Sequence, residues 1–275
     1  MKNFLIFILF ITAINANITV YNAYSAFNKS YINGRLIKNE QTVSSKNDSI
    51  FKNIANQVKL FFHNELKNKT IYLNTDNKIY KTKSDDEGYF SITVNQSLQN
   101  ALLYLDSKNF IKVSFLNYKE PRIGIISDFD DTLVISNVPN KLKLLQNNFT
   151  KNYKQRVLIK RTATKIKDIL KNNKDAPFII VSGSPYQFYT PIKNFLAYHN
   201  FPKAVILLKQ IHGKNKEPNN QFKYKVAKIE KVFKQFPKTK WYLFGDSGEK
   251  DKEVYNYFKQ RYPQRIIAIY IRELN

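Results

Sequence analysis

The chain of 275 residues contains no cysteine, and this absence removes disulfide frameworks, zinc ribbons and thiol catalysis together. Acidic residues are scarce: 21 Asp and Glu face 45 Lys and Arg, for a formal net charge of +24. The excess is uneven. Residues 1–120 carry 15 basic and 9 acidic groups, whereas residues 121–275 carry 30 and 12. A field of that sign attracts anionic partners such as phosphate esters, nucleic acid or acidic lipid surfaces. General enrichment in Lys, Asn and Ile explains the same number equally well, so charge alone decides nothing. Internal repeats and long low-complexity segments are absent. Beyond the N-terminus, no run approaches the roughly 20 apolar residues that a membrane-spanning helix needs.

What is present supports a folded protein with a substantial core, since 43% of residues are hydrophobic and 15% aromatic. At the N-terminus, Lys2 precedes an apolar run over residues 4–14, followed by Ile14-Asn15-Ala16. A charged start, a short apolar stretch and a small residue before the cut describe a secretory signal over residues 1–16. The mature chain is then expected to be exported, to a periplasm or beyond, beginning near Asn17. A retained anchor is the alternative, and the shortness of the run opposes it.

Residues 17–119 read as a small β-rich domain. Tyr72, Leu73, Ile79 and Tyr80 lead into the turn cluster Ser84-Asp85-Asp86-Glu87-Gly88, and residues 89–94 follow as a strand. Runs at 102–105 and 111–115 suit the same small antiparallel sheet. Ile50, Ile54, Val58, Phe61 or Phe62, and Leu66 fall at helical spacing, which predicts an amphipathic helix packed on that sheet. Its Lys52, Lys59 and Lys67 leave a membrane surface open as a second reading.

From residue 120 the pattern changes. Apolar runs of strand length (122–127, 178–181, 205–208, 241–244, 266–271) alternate with amphipathic stretches (162–171, 189–200, 226–236, 252–261). That alternation predicts a parallel α/β sheet with flanking helices over residues 120–275. Ligands of such sheets bind outside the carboxyl ends of the strands, and the polar clusters of interest sit at three of those ends.

The first strand ends in Asp128-Phe129-Asp130-Asp131-Thr132. Two carboxylates one residue apart can divide the work of ester hydrolysis: Asp128 as nucleophile, Asp130 as general acid and then base. A solvated turn is the bland reading of an acidic triplet, and a calcium loop lacks its Gly and distal Glu here. The second strand ends in Val181-Ser182-Gly183-Ser184-Pro185, where a hydroxyl and backbone N–H groups can clamp phosphoryl oxygens. A helix cap, with Ser184 capping and Pro185 opening the helix, competes for these residues. The third ends in Gly245-Asp246-Ser247-Gly248-Glu249-Lys250-Asp251, where Asp246 and Asp251 offer hard oxygen ligands to Mg²⁺. Gly-Asp-Ser-Gly also surrounds the nucleophile of trypsin-like proteases, but the α/β pattern, three histidines and lack of disulfides oppose that. A cation is also needed to hold the phosphoryl group, and Lys223, Lys225 and Lys228 are equal candidates from chemistry alone.

Taken in order, these motifs resemble the haloacid-dehalogenase-like phosphatases, and in finer wording the actin-patch-associated phosphatidate phosphatase catalytic domain. The resembling stretches include Ser127 to Thr132, Val181 to Pro185, Phe236-Pro237, Phe244 to Asp251 and Ala268 to Arg272. The resemblance implies a Rossmann-like, haloacid-dehalogenase-like fold with a minimal cap, preceded by a small β-sandwich around Asp85 and Gly88-Tyr89-Phe90. It implies Mg²⁺-dependent hydrolysis of phosphatidate through an aspartyl-phosphate on Asp128, with Asp130 as acid and base. Thr132, Ser182, Gly183 and Lys225 would bind phosphate, Lys225 being chosen because Tyr224-Lys225-Val226 fits the family's helix start. Asp128, the Asp130 carbonyl, Asp246 and Asp251 would form the metal site.

Residues 136–159 are only loosely similar, and they bear on substrate choice. Neither 133–160 nor 209–222 is long enough for a full cap, which suits a phosphate carried on a large or membrane-embedded molecule. A peripheral contact with anionic membrane is expected through Lys141, Lys143, Lys151 and Lys154, with Lys209, Lys214 and Lys216; no nucleic-acid partner is expected. The runner-up is a broad phosphomonoesterase. A secreted, non-enzymatic binder of anionic lipid or nucleic acid is opposed by the intact motif carboxylates.

Overall fold

The computed structural model describes residues 17–38, 45–61, 64–76, 78–106, 109–136 and 151–274. The expected export signal, Lys141 and Lys143 lie outside the described residues.

Two long strands that periodicity alone did not reveal organise the N-terminal part: β1 (Asn17–Ala26) and β2 (Lys29–Lys38), paired as an antiparallel hairpin. The turn places Phe27 and Asn28 at positive φ. Short β3 (Asn64–Glu65) follows the helix α1 (Ile50–Phe61). Next come β4 (Thr70–Asn74), β5 (Ile79–Lys83), β6 (Tyr89–Val94), β7 (Asn100–Tyr104), β8 (Phe110–Ser114) and β9 (Leu116–Tyr118).

These strands make two sheets, where the apolar runs alone suggest one and the resemblance implies a sandwich. One runs β3-β2-β1-β9 with β6 also on β2, and the other runs β5-β4-β7-β8. The hairpin is the reason: β2 offers Ser30 to Arg35 as partners to residues 89–94, so β6 leaves β5 and joins the other sheet. Alternation in β4 and β6 then points Ile71, Leu73, Phe90, Ile92 and Val94 into a shared core with Leu36, Leu103 and Val113. The predicted helix is present but ends at Phe61; Leu66 lies beyond it and is buried in this sandwich core.

The C-terminal part is a five-stranded parallel sheet of order β12-β11-β10-β13-β14. Its strands are β10 (Ile123–Ser127), β11 (Phe178–Pro185), β12 (Val205–Lys209), β13 (Lys240–Asp246) and β14 (Ile266–Arg272). Helices α2 (Lys160–Asn172), α3 (Tyr189–Tyr198), α4 (Gln221–Gln235) and α5 (Asp251–Arg261) cover it. Each strand is apolar on both faces because helices lie on both. Along β10, Ile125 packs with Ile166, Ile192 and Phe195, while the next residue, Ile126, packs with Ile229, Val232 and Phe258.

The two parts are bonded together. A bulge interrupts the β1–β2 register between Val20 and Asn22. The Asn22 side chain then pairs with Ile206 of β12 like a strand: Nδ2 donates to Ile206 O at 2.9 Å, and Ile206 N donates to Oδ1 at 2.7 Å. Tyr24 donates to Gln235 Oε1 at 2.7 Å, and the Tyr189 hydroxyl donates to Tyr21 O. The turn after β5 grips the loop after β12. Asp85 accepts from Gln210 and Asn215, and Asp86 accepts from Lys214 N.

Candidate active site

Parallel register brings the polar clusters together. Ser127, the last residue of β10, stands level with Ile180 of β11 and Phe244 of β13. The residues that follow, Asp128, Ser182 and Asp246, therefore emerge at one edge of the sheet, its carboxyl end. All three are buried.

Asp128 is held by its backbone, its N–H donating to Phe244 O at 2.9 Å. Its Oδ1 accepts from Lys225 Nζ at 3.0 Å. The other oxygen, Oδ2, is buried and has no hydrogen-bond partner, and the same is true of Asp246 Oδ2 and Thr132 Oγ1. Asp246 Oδ1 is occupied, accepting from Gly248 N at 2.6 Å. Asp251 completes the group: Oδ1 accepts from Lys225 at 2.5 Å and Oδ2 from Asp246 N at 3.2 Å. Gly245 permits this closeness, since a Cβ there would stand 2.5 Å from Asp251 Cβ.

One oxygen from each of Asp128, Asp246 and Asp251 lies within 4.8 Å of the others. A buried acceptor left bare costs about 1–3 kcal/mol, and two members of this group each keep one bare carboxylate oxygen that a cation would satisfy. The donors are all oxygen, which suits a hard divalent ion such as Mg²⁺. The Asp130 carboxylate stands apart from this cluster. It accepts from Arg156 at 2.7 Å, Ser136 Oγ at 3.1 Å and Ser184 Oγ at 3.1 Å.

The electrostatics follow from burial. Desolvation pushes the Asp128 carboxyl well above its usual range, against the pull of Lys225. Asp251 is pushed up to about 7 by burial, again against Lys225. Burial alone would lower Lys225, but Asp128 and Asp251 together hold its pKa well above the ordinary lysine value. Glu249, 3.5 Å from Lys225, is also raised by burial.

The three candidate lysines separate cleanly. Tyr224, Lys225, Ile229, Val232 and Phe233 form the buried stripe of α4, so Lys225 points inward. Lys223 is exposed and Lys228 pairs with Glu217 at 2.6 Å. That stripe is a signal the sequence already carried, because Lys225 sits four residues before Ile229.

Around Ser182 the strand reading prevails over the helix cap. β11 continues to Pro185, the following turn (Tyr186–Phe188) has no side-chain cap, and Ser184 Oγ is committed to Asp130. Ser182 Oγ accepts from Ser184 N at 3.1 Å. Gly183 lies against Gln221, whose amide would be 2.2 Å from any added Cβ. Gln221 is one turn before Lys225 on α4, and its Oε1 is buried without a partner. Asp131 adopts φ +54 in the tight turn after the motif. Its carbonyl accepts from Arg272 at 2.8 Å and its Oδ1 from Ser136 N at 2.9 Å. Sequence reasoning gave no role to Arg156, Gln221 or Arg272. Arg156 lies in the segment where motif similarity is weakest, and only folding brings it to Asp130, 26 residues earlier.

The parallel-sheet part of the chain resembles known proteins. The family described as "Phosphatidate phosphatase APP1, catalytic domain" matches residues 123–273. Phosphatidate phosphatase APP1 of Saccharomyces cerevisiae is 36% identical over 159 residues, 57% of this chain. The chain spans only 27% of that relative's length. Two structures of a Pnkp1/Rnl/Hen1 RNA repair complex align at 14% and 16% identity with TM-scores of 0.40 and 0.39. They cover 56% and 62% of this chain and 43% and 56% of theirs, a likeness too slight to carry any argument. The match over more than half of the chain, with the motif carboxylates gathered at one sheet edge, places it in the APP1 phosphatidate phosphatase catalytic-domain family.

Proposed function

We propose that this chain is a Mg²⁺-dependent phosphatidate phosphatase of haloacid-dehalogenase-like fold, working through an aspartyl-phosphate on Asp128. The observation that carries the reading is the cluster of Asp128, Asp246 and Asp251, in which Asp128 Oδ2 and Asp246 Oδ2 are buried and bare while Lys225 holds Asp128 Oδ1. The yeast relative's name supports phosphatidate as the substrate.

Asp128, Asp246 and Asp251, with the Asp130 carbonyl, would hold Mg²⁺. When bound, the ion supplies Lewis-acid stabilisation of phosphoryl charge. The rest falls to the chain. Lys225 fixes Asp128 Oδ1 and offsets the crowded carboxylates. Thr132 Oγ1, Ser182 and the backbone around Gly183 receive phosphoryl oxygens. An Asp128 oxygen attacks phosphorus and the bond to the ester oxygen breaks. Asp130 gives that oxygen a proton, and diacylglycerol leaves. Asp130 then takes a proton from water, whose oxygen attacks phosphorus. The bond to Asp128 breaks and inorganic phosphate departs.

The test is phosphate release from phosphatidate, lysophosphatidate, nucleotides and phosphopeptides, with Mg²⁺ and with EDTA. Release from phosphatidate that EDTA abolishes and Mg²⁺ restores is expected, with none from Asp128→Asn. Beryllofluoride should be trapped on Asp128. Brisk release from nucleotides beside none from phosphatidate would favour a broad phosphomonoesterase, and full activity after chelation would sink the metal site.

A further inference from the structure

The acid Asp130 is connected to a particular patch of the surface. Arg156, which donates to it, follows a segment bonded to the start of α1. Asn152 Nδ2 donates to Ser45 O at 2.6 Å and to Asn53 Oδ1 at 3.2 Å. Gln155 Nε2 donates to the carbonyls of Lys46 and Asp48, both at 2.9 Å, and Gln155 Oε1 accepts from Asn53 Nδ2 at 2.7 Å. Asn53, Asp48 and Asn152 are all buried. The first turn of α1 is therefore seated on the segment that supplies Arg156.

The outer side of that turn is apolar and uncovered. Phe51 is 84% exposed and Ile50 58%, while Val157, next to Arg156, is 55% exposed. Exposed apolar residues scattered singly need no explanation, but a grouping does. Three of the seven large exposed hydrophobics among the described residues fall in these two short, mutually bonded stretches. The charge of the two stretches is mostly basic, although Arg156 is already paired with Asp130. Residues 45–56 and 151–161 carry seven basic residues and a single acid, Asp48, which is buried and bonded to Lys52 at 2.7 Å. Exposed apolar residues in lysine-rich stretches match the boundary of an anionic bilayer, where rings enter below the headgroups and ammonium groups meet lipid phosphate.

We propose that the start of α1 is a membrane-docking element: Ile50 and Phe51, with Val157, enter the headgroup region of an anionic bilayer. Lys46, Lys52, Lys151 and Lys154 lie at its phosphates. Docking there places the sheet edge that bears Asp128 over the lipid; this purpose rests on the phosphatidate reading, whereas the docking itself does not.

The experiment is co-sedimentation of the full chain with phosphatidylcholine vesicles, with and without phosphatidylglycerol, a lipid that is not a phosphate monoester. Binding should require the anionic lipid and weaken as salt shortens the Debye length below about 10 Å. Phe51→Ser should weaken it by about tenfold or more, the worth of burying one such side chain. Each of Lys46→Gln and Lys151→Gln should weaken it by about fivefold. Phe110→Ser, the same residue type, 54% exposed but on β8, should bind as the parent does. Phe51→Ser should also keep the parent's rate on a small soluble phosphoester. The proposal is overturned if the parent fails to bind anionic vesicles, if Phe51→Ser binds as well as the parent, or if Phe110→Ser loses as much. Absence of turnover in every assay would instead refute the phosphatase reading and leave these binding results intact.

Discussion

Lys225 Nζ lies 2.5 Å from Asp251 Oδ1, wholly out of contact with water, and Asp251 itself opens the helix beyond the third motif. The ammonium also serves Asp128 at 3.0 Å, so one lysine balances two buried carboxylates. Removing one partner of a buried ion pair costs about 3–5 kcal/mol, because the other charge is left without compensation. Lys225→Met is therefore expected to lower stability by about that amount in urea unfolding, as well as abolishing phosphate release. Adding Asp251→Asn should recover part of the loss, and the double-mutant cycle measures how strongly the pair is coupled.

The same burial gives a pH dependence of stability in metal-free protein. The Asp251 carboxyl is pushed up from 3.8 to about 7 in the folded state, and Asp128 and Glu249 move in the same direction. The folded state thus holds protons that the unfolded chain has already released, so stability falls as pH rises from about 4 to about 7. Asp251→Asn should flatten that slope in urea melts. Mg²⁺ should stabilise progressively more toward pH 7, since its binding requires ionised carboxylates. A slope of opposite sign in parent protein would contradict the burial seen at Asp251.

Arg156 supplies one charge-assisted hydrogen bond to Asp130 and lies with its guanidinium over the Phe129 ring. Such a bond is worth about 1.5–3 kcal/mol. Arg156→Ala is expected to reduce kcat on a soluble ester by about tenfold to a hundredfold, with KM little changed. A pure rise in KM would mean that Arg156 binds phosphate and does not position the acid.

The side chain of Asn22 satisfies both backbone groups of Ile206. Asn22→Ala would bare a buried N–H and a buried carbonyl at once, for a cost of about 2–4 kcal/mol. A single cooperative melt should persist at lower temperature, with the rate per folded molecule unchanged.

The parallel sheet and its site were legible because chemistry concentrates at strand ends. Apolar runs of strand length located β10, β11 and β13, and the carboxylates at the ends of β10 and β13 fell together without further assumption. The β1–β2 hairpin was not legible. Polar residues such as Asn22, Ser25, Ser30 and Arg35 are buried on it, so its alternation does not separate apolar from polar. Each is instead satisfied by a distant partner: Ser25 by Leu98 O, Arg35 by Glu65 and Glu87. Long-range pairing also hid Arg156, whose importance arises only when residue 130 is beside it. Ser184 looked like a helix cap because Pro185 follows it, and the backbone remained extended through both.

The strand order carries one more consequence. β12 is the outermost strand of the parallel sheet, and Asn22 occupies hydrogen-bonding groups on its open side. Excising residues 120–275 would strip that cover and leave a short, apolar strand (Val205–Lys209) facing solvent. Bare strand edges template pairing with a second chain. The isolated catalytic half should therefore self-associate as its concentration rises, and the β-rich half serves it as a built-in guard against aggregation.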